Sequence, residues 1–384
     1  MLTYVEAGTI LGGIRARSFA RWGEPKTYDC VESLSRNFTA SDEVFSVSGP
    51  LPIDGLFRRG EGNTLLVFFN AALERNFKGT LPYFTWVNSS KTCHSSCLFL
   101  SDPTLVLSEN LYLAWYVGTE TFNAQSAIAD VIKAVMARCG ATRAAFVGSS
   151  GGAFPALLYS SLFPNSAAYV NAPATTIIEH HSKRAIDQFS KVACPQHGLK
   201  GMSAVLDLRS VKLRYNNPLI ITQNTTDTVY ITSHLKPFLA HLGIQWSGQI
   251  ILNENLLVIP GEWGQGHKTP PSKFIELILS RIDTCPGDDF TALDLGKIRE
   301  PHTLTAQLSS ANKPVITCHA SEPSTFAFYL MRDGERLDTQ WYSERASYVM
   351  PDGLPPGRYF VRCFAKRNLD GFVVVHSTSE FFYR

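Results

Sequence analysis

The chain has 384 residues, 45% of them hydrophobic, and a formal charge of +2 from 35 basic and 33 acidic side chains. A length and apolar content of this kind describe an ordinary globular protein of two or three domains, each with a full core. The near-neutral, scattered charge gives no electrostatic basis for binding nucleic acid or an anionic membrane.

No stretch is long and apolar enough to predict a membrane-spanning helix. Met1-Leu2-Thr3-Tyr4-Val5-Glu6 lacks the basic and apolar regions of a signal peptide. The eight cysteines, at 30, 93, 97, 139, 194, 285, 318 and 363, lie far apart. They read as mostly free thiols in a reducing compartment, so a cytoplasmic location is expected.

Residues 1–58 read as a β-rich N-terminal segment, with strands at Ile14–Phe19 and Val44–Val47. Gly49-Pro50 and Pro52-Ile53-Asp54-Gly55 read as turns. Residues 59–284 alternate between apolar runs and helical periodicity. Thr64–Phe69 and Leu111–Val117 are continuous apolar runs, as in strands buried on both faces. Ile128, Val131, Ile132, Val135 and Met136 repeat with helical spacing, and Gly140 suits the cap.

Short strands follow at Ala144–Val147, Ala167–Val170, Pro218–Thr222 and Leu256–Pro260, with helices near 231–242 and 271–282. The alternation predicts a mostly parallel sheet wrapped by helices. The stretch from about 175 to 213 breaks the rhythm and reads as a cap over the site. Residues 285–311 read as a linker. Residues 312–384 read as a small immunoglobulin-like β-sandwich of short strands and Gly turns. Its aromatics Phe326, Phe328, Trp341, Tyr342 and Tyr359 are expected in the core.

Phe146-Val147-Gly148-Ser149-Ser150-Gly151-Gly152-Ala153-Phe154 reads as strand, Gly-x-Ser-x-Gly turn and helix. That is the pattern of a nucleophile elbow, with Ser150 as the nucleophile. Gly- and Ser-rich turns are common, so the motif needs partners. A serine hydroxyl requires a base, and the base an orienting carboxylate.

Asp227 follows the strand at 218–222 and His267 lies in a glycine-rich loop after the strand at 256–260. A single loop Asp is more often a cap, and a single loop His more often a surface residue. The three in order, each just past a strand's C-terminal end, are what makes them a candidate triad. His181 is the alternative base and Glu262 the alternative acid. The Gly151 N–H and the Ala71 N–H are the expected oxyanion donors, with Asn70 a side-chain candidate. Asn70, Ser149, Trp115 and Trp263 are expected to line the substrate pocket.

Cys93-His94-Ser95-Ser96-Cys97 has no second paired cluster nearby, so it reads as a loop and no metal is expected. No phosphate-binding glycine loop or dinucleotide fingerprint occurs, so no cofactor is expected.

With Gly148-Ser149-Ser150-Gly151-Gly152, Asp227 and Gly266-His267 in this order, the block from about 60 to 284 resembles the α/β-hydrolase superfamily. The resemblance implies an esterase or acyltransferase working through an acyl-serine intermediate. A second resemblance is to bacterial esterase-like proteins of surface-glycan assembly, including the glycan O-acetyltransferase of the accessory secretion system. It rests on Phe69-Asn70-Ala71-Ala72, Ser101-Asp102-Pro103-Thr104-Leu105, Ala114-Trp115-Tyr116 and the appended β domain.

A carboxylesterase or deacetylase acting on a small-molecule or glycan ester is the leading expectation. The alternatives are an O-acyltransferase with the same triad and a non-catalytic binding protein that docks a partner through its β domain.

Overall fold

The structure is a computed structural model. It describes residues 13–74, 76–211, 217–298, 304–309, 314–321, 323–368 and 373–383. Residues 1–12, residues 299–303 and 310–311 of the expected linker, and Gly371-Phe372 lie outside these. Two compact units divide the chain, the first ending at Leu295 and the second beginning at Gly296.

The first unit opens with β1 (Lys26–Tyr28), helix α1 (Val31–Asn37), β2 (Glu43–Val47), β3 (Ile53–Arg58), β4 (Thr64–Phe69) and β5 (Ser96–Leu100). A small hairpin of β6 (Gly118–Thr119) and β7 (Phe122–Asn123) leads into α2 (Ala124–Cys139). Then come β8 (Arg143–Ser149), α3 (Ala153–Leu162), β9 (Ser166–Asn171), α4 (Lys183–Ala193) and β10 (Leu219–Asn224). A helical stretch follows from α5 (Thr228–Tyr230) through a π-helical turn at Ile231–Leu235 to α6 (Lys236–His241). β11 (Ile251–Leu252), β12 (Leu256–Gly261) and α7 (Ser272–Asp283) close the order.

Ten strands form one sheet in the order β1-β2-β3-β5-β4-β8-β9-β10-β12-β11. From β5 to β12 the neighbours run parallel, while β3 is antiparallel to both β2 and β5. β4 and β8 are buried along their whole length, which is why Leu65–Phe69 and Ala144–Val147 within them are continuous apolar runs. This sheet, with a serine turn at the end of its central strand β8, is the α/β-hydrolase fold expected from the sequence.

Three expectations fail in instructive ways. Residues 26–58 are not a separate segment, because β1 to β3 are strands of the main sheet. Asp54-Gly55 lies inside β3 instead of a turn. The Phe45 ring on β2 covers Gly55, where a Cβ would lie 2.3 Å from its Cζ, and Arg17 pairs with the Asp54 carboxylate. The expected strand at Ile14–Phe19 is a single bridge, Arg17 to Leu81.

Leu111–Val117 is buried but is not a strand. Trp115 and Tyr116 have φ of 51° and 61°, which no strand permits. The buried carboxylate of Asp102 accepts the Tyr116 N–H at 2.8 Å. The strand position belongs to β5, whose start lies in the segment read as a loop.

The expected linker is also divided. Arg143 donates to the carbonyls of Cys285 and Asp289 and lies 4.6 Å over the Phe290 ring, so residues 285–290 are tied to the first unit. In the second unit, β13 (Leu304–Ser309), β14 (Val315–Ala320) and β17 (Ser347–Val349) make one antiparallel sheet. β15 (Ser324–Arg332), β16 (Glu335–Ser343), β18 (Gly357–Arg367), β19 (Val373–Ser377) and β20 (Phe381–Tyr383) make the other.

One apolar core, including Ile316, Cys318, Phe328, Tyr359 and Cys363, is shared by both sheets, as in a sandwich. Cys318 and Cys363 are free thiols there. Trp341 and Tyr342 are not core residues but 66% and 40% exposed. A bulge sets both opposite Ala327, since Gln340 pairs with Phe328 and Ser343 with Phe326.

Candidate active site

The elbow is built by close packing. Ser150 has φ +55°, a strained value for a non-glycine residue and one that accompanies functional turns. The turn fits only because its flanks have no side chain. A Cβ on Gly148 would lie 2.1 Å from the Gly152 carbonyl oxygen. A Cβ on Gly152 would lie 2.6 Å and 2.8 Å from the carbonyl oxygens of Asn70 and Phe69. The second contact sets the Asn70-Ala71 turn against the elbow, beside the expected oxyanion donor Gly151.

The candidate acid and base follow β10 and β12, two and three strands from β8 in the sheet. Asp227 caps the helical stretch, its Oδ1 accepting the Tyr230 N–H at 3.3 Å. Its Oδ2 lies 2.6 Å from His267 Nδ1. Burial opposes ionisation of Asp227, but the hydrogen bonds from His267 and the Tyr230 N–H hold its pKa below the usual range.

The loop that carries His267 is pinned to the end of β10. Asn224 Nδ2 donates to the carbonyls of Gly264 and Gly266, and Thr226 Oγ1 donates to Gly264 O and accepts the Gly266 N–H. The imidazole is half exposed while Asp227 is buried.

The serine hydroxyl has a different partner from the one expected. Ser150 Oγ lies 2.7 Å from the Tyr230 hydroxyl. The Tyr230 ring stacks on His267, centroids 4.1 Å apart and planes 28° apart. Tyr230 therefore touches both members of the candidate pair, and among the described residues Ser150 and His267 share no hydrogen bond. Burial pushes the phenol pKa up to about 12, against the pull of the Ser150 hydrogen bond, so Tyr230 is a neutral phenol near pH 7.

The expected pocket residues divide. Ser149 Oγ accepts Asn171 Nδ2 at 3.1 Å, in a polar chain that continues to Thr222 across the strand ends. Asn70 is engaged by the Tyr116 hydroxyl at its Oδ1 and donates from Nδ2 to Ala71 O, so it serves the turn more than the site. Trp115 is fully buried, edge-on to His180 and Phe189, and is a core residue. Trp263 lays its indole against Gly261, the end of its own strand. Glu262, the alternative acid, is exposed.

Tyr230 and His234 escape the sequence reading. They lie three and seven residues after Asp227, the spacing of one helix face, and that is the available signal. His234 is fully buried in the π-helical turn, a feature that often marks functional sites. His180, His181 and His234 each bring a nitrogen within 4.8 Å of the others. His181 also lies edge-on to Tyr230, centroids 4.8 Å apart.

No family model and no curated protein matches the chain. Solved structures do. A capsule O-acetyltransferase of Neisseria meningitidis serogroup A, a histidine-to-alanine mutant in complex with CoA, is 13% identical over 64% of this chain and 98% of its own, with a TM-score of 0.47. Carboxyl esterase 2 from the fungus Tuber melanosporum is 14% identical over 75% of this chain and 94% of its own, with a TM-score of 0.43. An α/β serine hydrolase homologue from Coxiella burnetii is 12% identical over 63% of this chain and 97% of its own, with a TM-score of 0.38. The fold assignment rests on this chain's own features: with its strand order, its central strand ending in a strained Gly-Ser-Ser-Gly-Gly turn and an Asp-His pair at the adjoining strand ends, the first unit is an α/β-hydrolase fold.

Proposed function

We propose that the chain is a serine esterase or acyltransferase that works through an acyl-serine on Ser150. The observation that carries this reading is the strained serine at a strand end beside a hydrogen-bonded Asp227–His267 pair. In this reading Ser150 attacks the ester carbonyl and His267 takes its proton. His267 later returns the proton to the leaving alcohol. Asp227 fixes the imidazole with Nδ1 protonated and stabilises its cation. The Gly151 and Ala71 N–H groups hold the oxyanion. The observed Ser150–Tyr230 bond is then a resting arrangement, which breaks when substrate brings serine and histidine together.

The acyl group passes to water in an esterase and to a hydroxyl in a transferase. An acylated glycan or glycoconjugate is the proposed substrate, and the second unit is the proposed place for a partner to dock. Hydrolysis of p-nitrophenyl acetate by wild type and Ser150→Ala tests the mechanism. Product analysis with and without a sugar acceptor separates hydrolysis from transfer.

One observation favours a second reading, a non-catalytic binding protein on this fold. The Ser150 hydroxyl is occupied by Tyr230 and not by His267. A folded wild type inert to both esters and serine-directed probes would select it.

A further inference from the structure

The three clustered histidines have the spacing of a metal site, but their hydrogen bonds do not suit one. A metal-bound histidine carries its proton on the nitrogen away from the metal and gives it to an acceptor. Here the Ser182 N–H donates to His180 Nδ1 at 3.1 Å, and the Thr175 N–H donates to His234 Nδ1 at 3.4 Å. Both Nδ1 atoms are acceptors, so each neutral ring carries its proton on Nε2, the nitrogen a metal would need. Among the described residues the buried His180 Nε2 has no partner. Burial and the neighbouring rings lower the pKa of His180 and His234 to about 3, and burial, then His267, lowers that of His181. The cluster is a set of neutral imidazoles.

Neutrality turns the cluster into a relay that fixes one proton. His234 is held rigidly, with Thr175 Oγ1 donating to its carbonyl at 3.0 Å. Its Nε2–H can only donate, and His181 Nδ1 lies 3.1 Å away. His181 Nδ1 is therefore an acceptor and His181 Nε2 carries the proton. The order runs from the Thr175 N–H through His234 to His181, and His181 alone of the three is exposed. It lies against the edge of Tyr230, whose hydroxyl holds Ser150.

We propose that His181 is a substrate-positioning residue, a neutral imidazole whose Nε2–H donates to an oxygen in the alcohol part of the bound ester. This rests on the serine esterase or acyltransferase reading. A neutral donor suits an uncharged oxygen acceptor, so the favoured substrate is an oxygen-rich neutral ester such as an O-acetylated sugar. A simple aryl ester gains nothing from it.

The test compares glucose pentaacetate with p-nitrophenyl acetate for wild type, His181→Ala, His181→Gln, His234→Asn and the His181→Ala/His234→Asn double variant. The Asn variant keeps an acceptor for Thr175 but does not reach His181. His181→Ala should lower kcat/KM for the sugar ester about tenfold, the worth of one hydrogen bond, and leave the aryl ester within about twofold. His234→Asn should do the same, and the double variant should be no worse than either. The Gln variant, with an amide near the place of Nε2, should regain part of the loss. Nitrogen NMR of the imidazoles should show His181 and His234 neutral and protonated on Nε2.

An equal loss on both esters, an unchanged His181→Ala, or a proton on His234 Nδ1 would overturn the assignment. A wild type that hydrolyses neither ester removes the enzyme reading and this one with it. A wild type active on both with His181→Ala unchanged removes this one alone.

Discussion

The hydroxyls of Ser150 and Tyr230 lie 2.7 Å apart, and the same tyrosine ring stacks on His267 at 4.1 Å. The candidate nucleophile is thus held by a neutral phenol whose own ring packs on the candidate base. A net hydrogen bond of this kind is worth about 0.5–1.5 kcal/mol, and in the proposed mechanism it breaks before Ser150 gives its proton to His267. Tyr230→Phe keeps the stacked ring and removes the bond. Fluorophosphonate labelling of Ser150 should become about two- to tenfold faster. Slower labelling would mean that the phenol assists the reaction.

Asp227 does two jobs with two oxygens, capping a helix with Oδ1 and holding His267 with Oδ2. Asp227→Asn keeps a cap but presents an amide or a neutral oxygen to His267, favouring the wrong tautomer. The drop in kcat should be on the order of 10⁴-fold, as for a triad aspartate, with the melting temperature changed by only a few degrees. A large fall in stability with activity retained would make Asp227 a cap alone.

Asp102 accepts the N–H groups of Thr104 and Tyr116 from a fully buried position. Burial raises its pKa to about 6, and the two N–H bonds only partly offset this. The folded state therefore binds this proton more tightly than the unfolded chain, so the contribution of Asp102 to stability falls as pH rises from about 4 to 6. Asp102→Asn removes that titration. Wild type should lose up to about 3 kcal/mol relative to the variant across this window, measured by urea unfolding at each pH. A constant difference between the two would place the Asp102 pKa outside the window.

Much of the sheet is legible because its central strands are buried on both faces and read as apolar runs. Leu65–Phe69 and Ala144–Val147 are such runs. The same rule misassigns Leu111–Val117, which is equally apolar and buried. Burial alone does not make a strand when a carboxylate, here Asp102, satisfies the backbone N–H. β5 escapes the rule because its first residue, Ser96, is polar and its apolar run, Cys97–Leu100, is only four residues long.

At the site, Ser150, Asp227 and His267 can be named as candidates from order and position. Tyr230 cannot, since its role depends on the helix that Asp227 caps. The relay leaves the stretch that carries Thr175, crosses to His234 and returns to His181, and no spacing in the sequence connects the two stretches.

The most direct test of the account is fluorophosphonate labelling followed by intact-mass analysis and peptide mapping, on wild type and Ser150→Ala. The account requires one adduct on wild type, on the peptide that contains Ser150, and none on the variant. A folded wild type that takes no label, or a variant labelled as fast as wild type, would contradict it.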